Sequence, residues 1–204
     1  MGLRNRLLTA AAAGAVALGM VAGTAATATA HSGGSGGSGG NHDPDGQPDT
    51  RLSGRDRAFL RHAAEGAYFE IAAGLFAAAA AVTPEVQALG AKIAADHTGE
   101  LATVMALAAA YGVSLPGDMT SAQHDRLLQV AAEPGLSFDD EYTELEVKVH
   151  RRNIAAFRSE ARRGRNDDVQ AFARETIPEL KEHLDAARAA NEVVERQEHN
   201  TERP

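Results

Sequence analysis

Glu70, His97, Glu146 with His150, and Glu179 with His183 recur at matching places along the chain. Imidazole and carboxylate are the side chains that ligate transition metals when thiolate is missing, and the sequence holds no cysteine. Glu146 and His150 are four residues apart, as are Glu179 and His183, so each pair shares one face of a helix. Asp96 and Glu100 flank His97 at one and three residues. Two imidazoles with a carboxylate suit zinc, copper or iron. Di-iron bundles use Glu-x-x-His on two helices, and the spacing here is one residue longer. The same residues also fit a metal-free buried network, in which His and Glu satisfy one another and fix helix register. No Ser-His-Asp arrangement and no phosphate-binding Gly loop stands out.

Long helices are needed to hold these residues. Apolar side chains recur at spacings of three and four, and nothing alternates with a strand period. The spacing predicts a first helix from about Gly54 to Ala81, opened by Ser53 and Asp56 as a capping box. Its inward stripe is Phe59, Ala63, Ala67, Glu70, Ile71, Gly74 and Leu75, and Gly66 and Gly74 would let a neighbour approach closely. Thr83 as N-cap and Pro84 at the first position start a second helix, which ends near Tyr111 at Gly112. A short helix from Thr120 to Pro134 has Thr120 and Gln123 as its capping box. A third long helix runs from Ser137 to about Arg163. A fourth starts at Asn166, and Pro178 is expected to kink it. His62 and His124 fall off the inward stripes and read as surface residues. Tyr68, Tyr111 and Tyr142 read as core-edge residues with hydrated hydroxyls.

The register of these helices puts the polar residues at one depth. Glu70 lies 12 residues before Val82 and His97 lies 15 after it. His150 lies 15 residues before Arg165 and His183 lies 18 after it. A difference of three residues is about 4.5 Å along a helix. Each hairpin therefore brings its two groups to nearly one level, near mid-length. One polar layer through an apolar bundle is how metal sites are built in such folds. Glu70, His97, His150 and His183 are the candidate ligands, with Glu146 and Glu179 as secondary ones.

The rest of the chain reads as address and linker. Arg4 and Arg6 precede a long Ala- and Gly-rich apolar stretch that ends in small residues at Ala28 to Ala30. This is the pattern of a secretory signal peptide over residues 1–30, and the rival reading is a retained anchor. Residues 31–52 form a Gly/Ser-rich linker, in which His31 and His42 read as solvated. The folded domain is expected over 53–196, with a frayed tail at 197–204. Without Arg4 and Arg6 the formal charge of −8 becomes −10. That balance argues against a nucleic-acid or anionic-lipid surface. The basic run Arg151 to Arg165 is mostly a solvated helix end.

With these residues in place, the chain resembles a known family. "DRAFLRHAAEGAYFEIAAGLFA", "VQALGAKIAADHTGELATVMALAAAYGVSLP", "FDDEYTELEVKVHRRNIAAF" and "VQAFARETIPELKEHLDAA" follow in order. They resemble the bacterial family called domain of unknown function 4142, over about Asp56 to Ala190. The shared signatures are Asp96–His97, His150 with Phe157, and Ile177 to Leu184, where the family usually has Leu at the position of Ile177. The resemblance implies an exported or envelope protein with a ferritin-like fold, and it implies no established reaction. The expectation is an all-α, ferritin-like four-helix bundle with one short extra helix between the second and third long helices. Its role is metal handling or redox protection in the envelope, with iron, zinc or copper bound. The alternative is a non-catalytic interaction module for an envelope partner, with a metal-free polar core. No membrane span is expected after signal cleavage.

Overall fold

The computed structural model describes residues 52–201. The expected signal peptide and most of the linker, with His31 and His42, lie outside the described residues. Five helices follow in order: α1 (Gly54–Ala80), α2 (Pro84–Ala110), α3 (Ser121–Ala131), α4 (Leu136–Arg163) and α5 (Asp167–Thr201). Among the described residues there is no strand, so the all-helical expectation holds. None of these helices is long and apolar enough to cross a membrane.

The caps follow local chemistry. Ser53 and Asp56 form a capping box at α1, as do Thr120 and Gln123 at α3. Pro84 occupies the first turn of α2, where no backbone donor is needed. Thr83 makes no side-chain cap; its hydroxyl meets Gln197 Oε1 at 3.2 Å instead. Gly112 ends α2 with a φ of 64°, a left-handed turn that glycine adopts without strain. Asn166 Oδ1 accepts from the N–H groups of Asp168 and Val169 and starts α5. α5 passes through Pro178 as one helix and continues to Thr201, into the tail expected to fray from Gln197.

The ends of the helices show how the two hairpins pack. Asp139, in the first turn of α4, accepts from the N–H of Thr83 at 2.7 Å and of Val82 at 3.2 Å, so it sits at the α1–α2 turn. At the other end Arg55 pairs with Glu160 at 3.0 Å, and the N–H of Arg165 donates to Asp56 at 2.9 Å. α4 is therefore antiparallel to α1. Tyr111 donates to Asp168, which makes α5 antiparallel to α2. The sequence left the direction of the third long helix open; here α2 and α4 run the same way, and the segment carrying α3 crosses the length between them.

α1 and α2 touch at a pair of glycines. A Cβ on Gly74 would fall 2.6 Å from the Gly90 carbonyl oxygen, and one on Gly90 would fall 2.6 Å from that of Gly74. Gly66 is different, because a Cβ there would meet nothing within 4 Å. The inward face of α1 also differs from the expected stripe. Leu75 is 60% exposed and Ile71 half-buried, while Leu60, Ala64, Phe69, Ala73 and Ala77 are buried. Alanine fits either environment, so an Ala-rich helix marks its own face weakly.

The interior has two apolar cores. One gathers Phe69, Ile93, Phe138, Tyr142 and Val194 towards the α1–α2 turn. The other gathers Phe59, Leu60, Val104, Phe157, Phe172 and Leu180 at the opposite end. Each fully buried Phe or Leu contributes about 1.5–3 kcal/mol. His97, Glu146 and His150 lie at chain positions between the two cores, Glu70 and His183 lie within their margins, and all five are buried.

Candidate metal centre

Two overlapping triads of possible ligand atoms form at this level. His97, His150 and His183 make one, and Glu70, Glu146 and His150 make the other. Within each triad the atoms lie within 4.8 Å of one another. The three imidazole centroids are 5.2, 5.4 and 5.8 Å apart. The register count thus brings Glu70, His97, Glu146, His150 and His183 together from four helices.

The hydrogen bonds fix which nitrogen of His150 and of His183 faces the centre. His150 Nδ1 lies 3.0 Å from the Glu146 carbonyl oxygen, which can only accept, so Nδ1 carries the hydrogen. His183 Nε2 lies 2.8 Å from Asp96 Oδ2 and donates there. The opposite nitrogens, His150 Nε2 and His183 Nδ1, face each other at 3.3 Å. In neutral rings both carry lone pairs, and they repel unless a proton or a cation stands between them. His97 Nδ1 is 2.7 Å from Glu100 Oε2, but the contact is not aligned as a hydrogen bond, and Nε2 has no partner. Each ring thus has one nitrogen beside an oxygen acceptor, and His150 and His183 turn the other towards each other, the usual arrangement of metal-bound histidines.

Residues 42–190 match the family described as "Domain of unknown function (DUF4142)". The chain belongs to this family. The DUF4142 match contains every residue of both triads. No curated protein and no solved structure matches the chain.

The electrostatics of this DUF4142 protein favour a neutral His183 ring and a raised Glu70 carboxyl. Burial pushes His183 down to about 4, and the nearby His150 and His97 add to this against the pull of Asp96. Burial would raise Asp96, but hydrogen bonds from Lys92 and His183 outweigh it and hold the carboxyl below its usual range. Glu70 is raised well above the ordinary carboxyl range, first by burial and then by the neighbouring Glu146 carboxylate. Tyr142 is pushed up by burial and by Glu146 and Glu70. Its hydroxyl is buried with no aligned partner, so the hydrated hydroxyl expected from the sequence is corrected.

The unpartnered atoms concentrate at the cluster. Nine buried side-chain atoms among the described residues lack a hydrogen-bond partner, and seven of them belong to Glu70, His97, Glu100 and Glu146. Each such atom costs about 1–3 kcal/mol. A protonated Glu70 removes part of that cost, and a cation between the rings and carboxylates would remove more.

Glu179 stands apart. It is half-buried and belongs to neither triad, and the groups that act on it, Asp96, His97, Glu100 and Lys92, all lie on α2. Four residues turn a helix about 40° past a full revolution, so an i,i+4 carboxylate is never directly above its histidine. On α4 that offset carries Glu146 into the centre; on α5 it leaves Glu179 at the α2 seam. Asp96 and Glu100 are better placed than their flanking positions suggested. A signal for them exists in the sequence, because a buried imidazole needs an acceptor and they are the acids nearest His97.

Proposed function

We propose that this protein is an exported, ferritin-like bundle that binds one transition-metal ion in its core. His97, His150 and His183 would hold the ion, with Glu70 and Glu146 as carboxylate donors at the side of His150. The observation that carries the reading is the 3.3 Å separation of His150 Nε2 and His183 Nδ1, with the far nitrogen of each ring already donating to oxygen. Two nitrogens bound to one tetrahedral zinc at about 2.0–2.1 Å stand about 3.3 Å apart, so the spacing fits. A three-imidazole set with adjacent carboxylates suits zinc, copper or iron. Such an ion supplies Lewis acidity, or electron transfer if it is iron or copper. Metal handling or redox protection at the cell envelope is the role that agrees with both the donor set and the leader-like N-terminus. The ferritin-like assignment is supported by two antiparallel helix pairs joined through a long crossover.

The metal-free reading has one observation in its favour. Asp96, His183, His150 and the Glu146 carbonyl form a continuous chain of polar contacts, and a proton shared between the two rings would complete it. Elemental analysis of protein purified without chelator or His-tag separates the readings. The expected result is about one equivalent of metal, lost in His97→Ala and His183→Ala. Added metal at about 100 times Kd should then stabilise the apo-protein by about 2.7 kcal/mol. For a domain of this size that raises Tm by about 5–10 °C. Metal-free protein whose Tm ignores EDTA, zinc, copper and iron refutes the proposal.

A further inference from the structure

A small cavity touches both the cluster and the protein's outer face. It holds about 10 Å³ and is lined by His62, Gly66, His97, Glu100 and Asn153, among others. His97 and Glu100 are buried, and their atoms at the cluster have no aligned hydrogen-bond partner. His62 is exposed and Asn153 half-buried. Both also line a groove of about 320 Å³ bounded by α1, α3 and α4. The shared lining places the cavity as a neck between the open groove and buried His97. About 10–15 Å³ is needed to hold a single water, so the neck admits one small ion or one water and no organic molecule.

Gly66 lines the neck and brings no side chain to it. A Cβ at this position meets nothing within 4 Å, so the space beside it is unfilled and not required for helix contact. This sets it apart from Gly74 and Gly90, whose missing side chains let two helices touch. The groove does not oppose a cation. Arg126 is paired with Glu141 at 2.7 Å, and the remaining Arg152 is balanced by Glu65 in the same lining.

We infer that the α1–α4 neck at Gly66 is the loading route of the proposed metal centre, with His62 as the outer ligand that receives a divalent cation and passes it to His97 and Glu100. The inference rests on the metal-binding reading above and adds the path and the receiving residue. The ion crosses by ligand exchange alone, from solvent to His62 and then to the inner donors, and no redox partner is required.

Stopped-flow loading of apo-protein with cobalt(II), followed by visible absorbance, tests the route. Release into excess EDTA is timed on the same samples. Gly66→Leu fills the neck, Gly66→Ala is its control, and His62→Ala removes the outer ligand. In Gly66→Leu both loading and release should slow by the same factor, about tenfold or more, with stoichiometry and Kd unchanged. That factor corresponds to a barrier raised by about 1.4 kcal/mol. His62→Ala should slow loading and release in the same parallel manner, and Gly66→Ala should behave as wild type. Loading of Gly66→Leu within about twofold of wild type, a shift of less than about 0.5 kcal/mol in the barrier, overturns the route and leaves the metal site standing. Slower loading with weakened affinity overturns it as well, because the substitution has then distorted the site. Wild-type protein that takes up no cobalt removes both the site and the route.

Discussion

Replacing Gly74 with alanine tests how closely α1 and α2 must touch. The new Cβ would stand 2.6 Å from the Gly90 carbonyl oxygen and 2.9 Å from the Ala94 amide nitrogen. Both are backbone atoms, so no flexible side chain can yield and the helices must move apart. Overpacking of this kind costs about 1–3 kcal/mol, and a clash against backbone belongs at the upper end. Removing a glycine from a helix interior returns about 1 kcal/mol. The net expectation for Gly74→Ala is a loss of about 2 kcal/mol. Gly66→Ala has the same chemistry and no clash, so only the gain of about 1 kcal/mol remains. The two variants should therefore differ by about 3 kcal/mol, which is about 6–12 °C in Tm for a domain of this size. Thermal and urea unfolding of the metal-free proteins measure this directly. Melting of the two variants within about 2 °C of each other would refute the reasoning, because the close crossing would then bear no energetic consequence.

Three further outcomes follow from the site and the helix ends. Asp96→Ala should weaken metal affinity by about 10–100-fold in chelator competition, since it removes the acceptor that orients His183, and unchanged affinity would remove Asp96 from that role. Tyr142→Phe deletes a buried hydroxyl without an aligned partner, so urea unfolding should show stability raised by about 1 kcal/mol, and a loss of similar size would reveal a hydrogen bond. Burial, then the adjacent Asp56, lifts Glu160 from its ordinary 4.5 to about 7. Between those values the folded chain keeps a proton that the unfolded chain releases, so this contribution is full below 4.5 and is lost as pH rises through 7. The urea midpoint should fall across that window, and Glu160→Gln should flatten the fall; an identical slope in the variant argues against it.

The depth of the cluster was legible because the hairpin turns are short. Only residues 81–83 separate α1 from α2, and only residues 164–166 separate α4 from α5. With so little slack, counting residues from each turn fixes which side chains share a level, and Glu70, His97, His150 and His183 do. Rotation about each helix was less legible. Ala-rich α1 buries Phe69 and exposes Leu75, against the expected stripe, because alanine contributes little apolar contrast. Glu179 was expected as a secondary ligand, like Glu146, on equal spacing from its histidine, yet Glu146 turns inward and Glu179 lies at a seam. The direction of α4 depends on Asp139 reaching the α1–α2 turn across 56 residues of sequence, a contact no local pattern encodes.

Asp96 gives the core a handle on the outside. Its side chain is 27% exposed and lies 2.7 Å from Lys92 Nζ, while its oxygen also holds the fully buried His183 ring. A fully buried imidazole thus shares its carboxylate with solvent and with one lysine at the rim. Of the two partners of Asp96 the exposed lysine is the weaker, worth about 0.3–0.5 kcal/mol as an i,i+4 pair, so it is the buried ring that anchors this rim carboxylate and ties the outer surface of α2 to the deepest layer of α5.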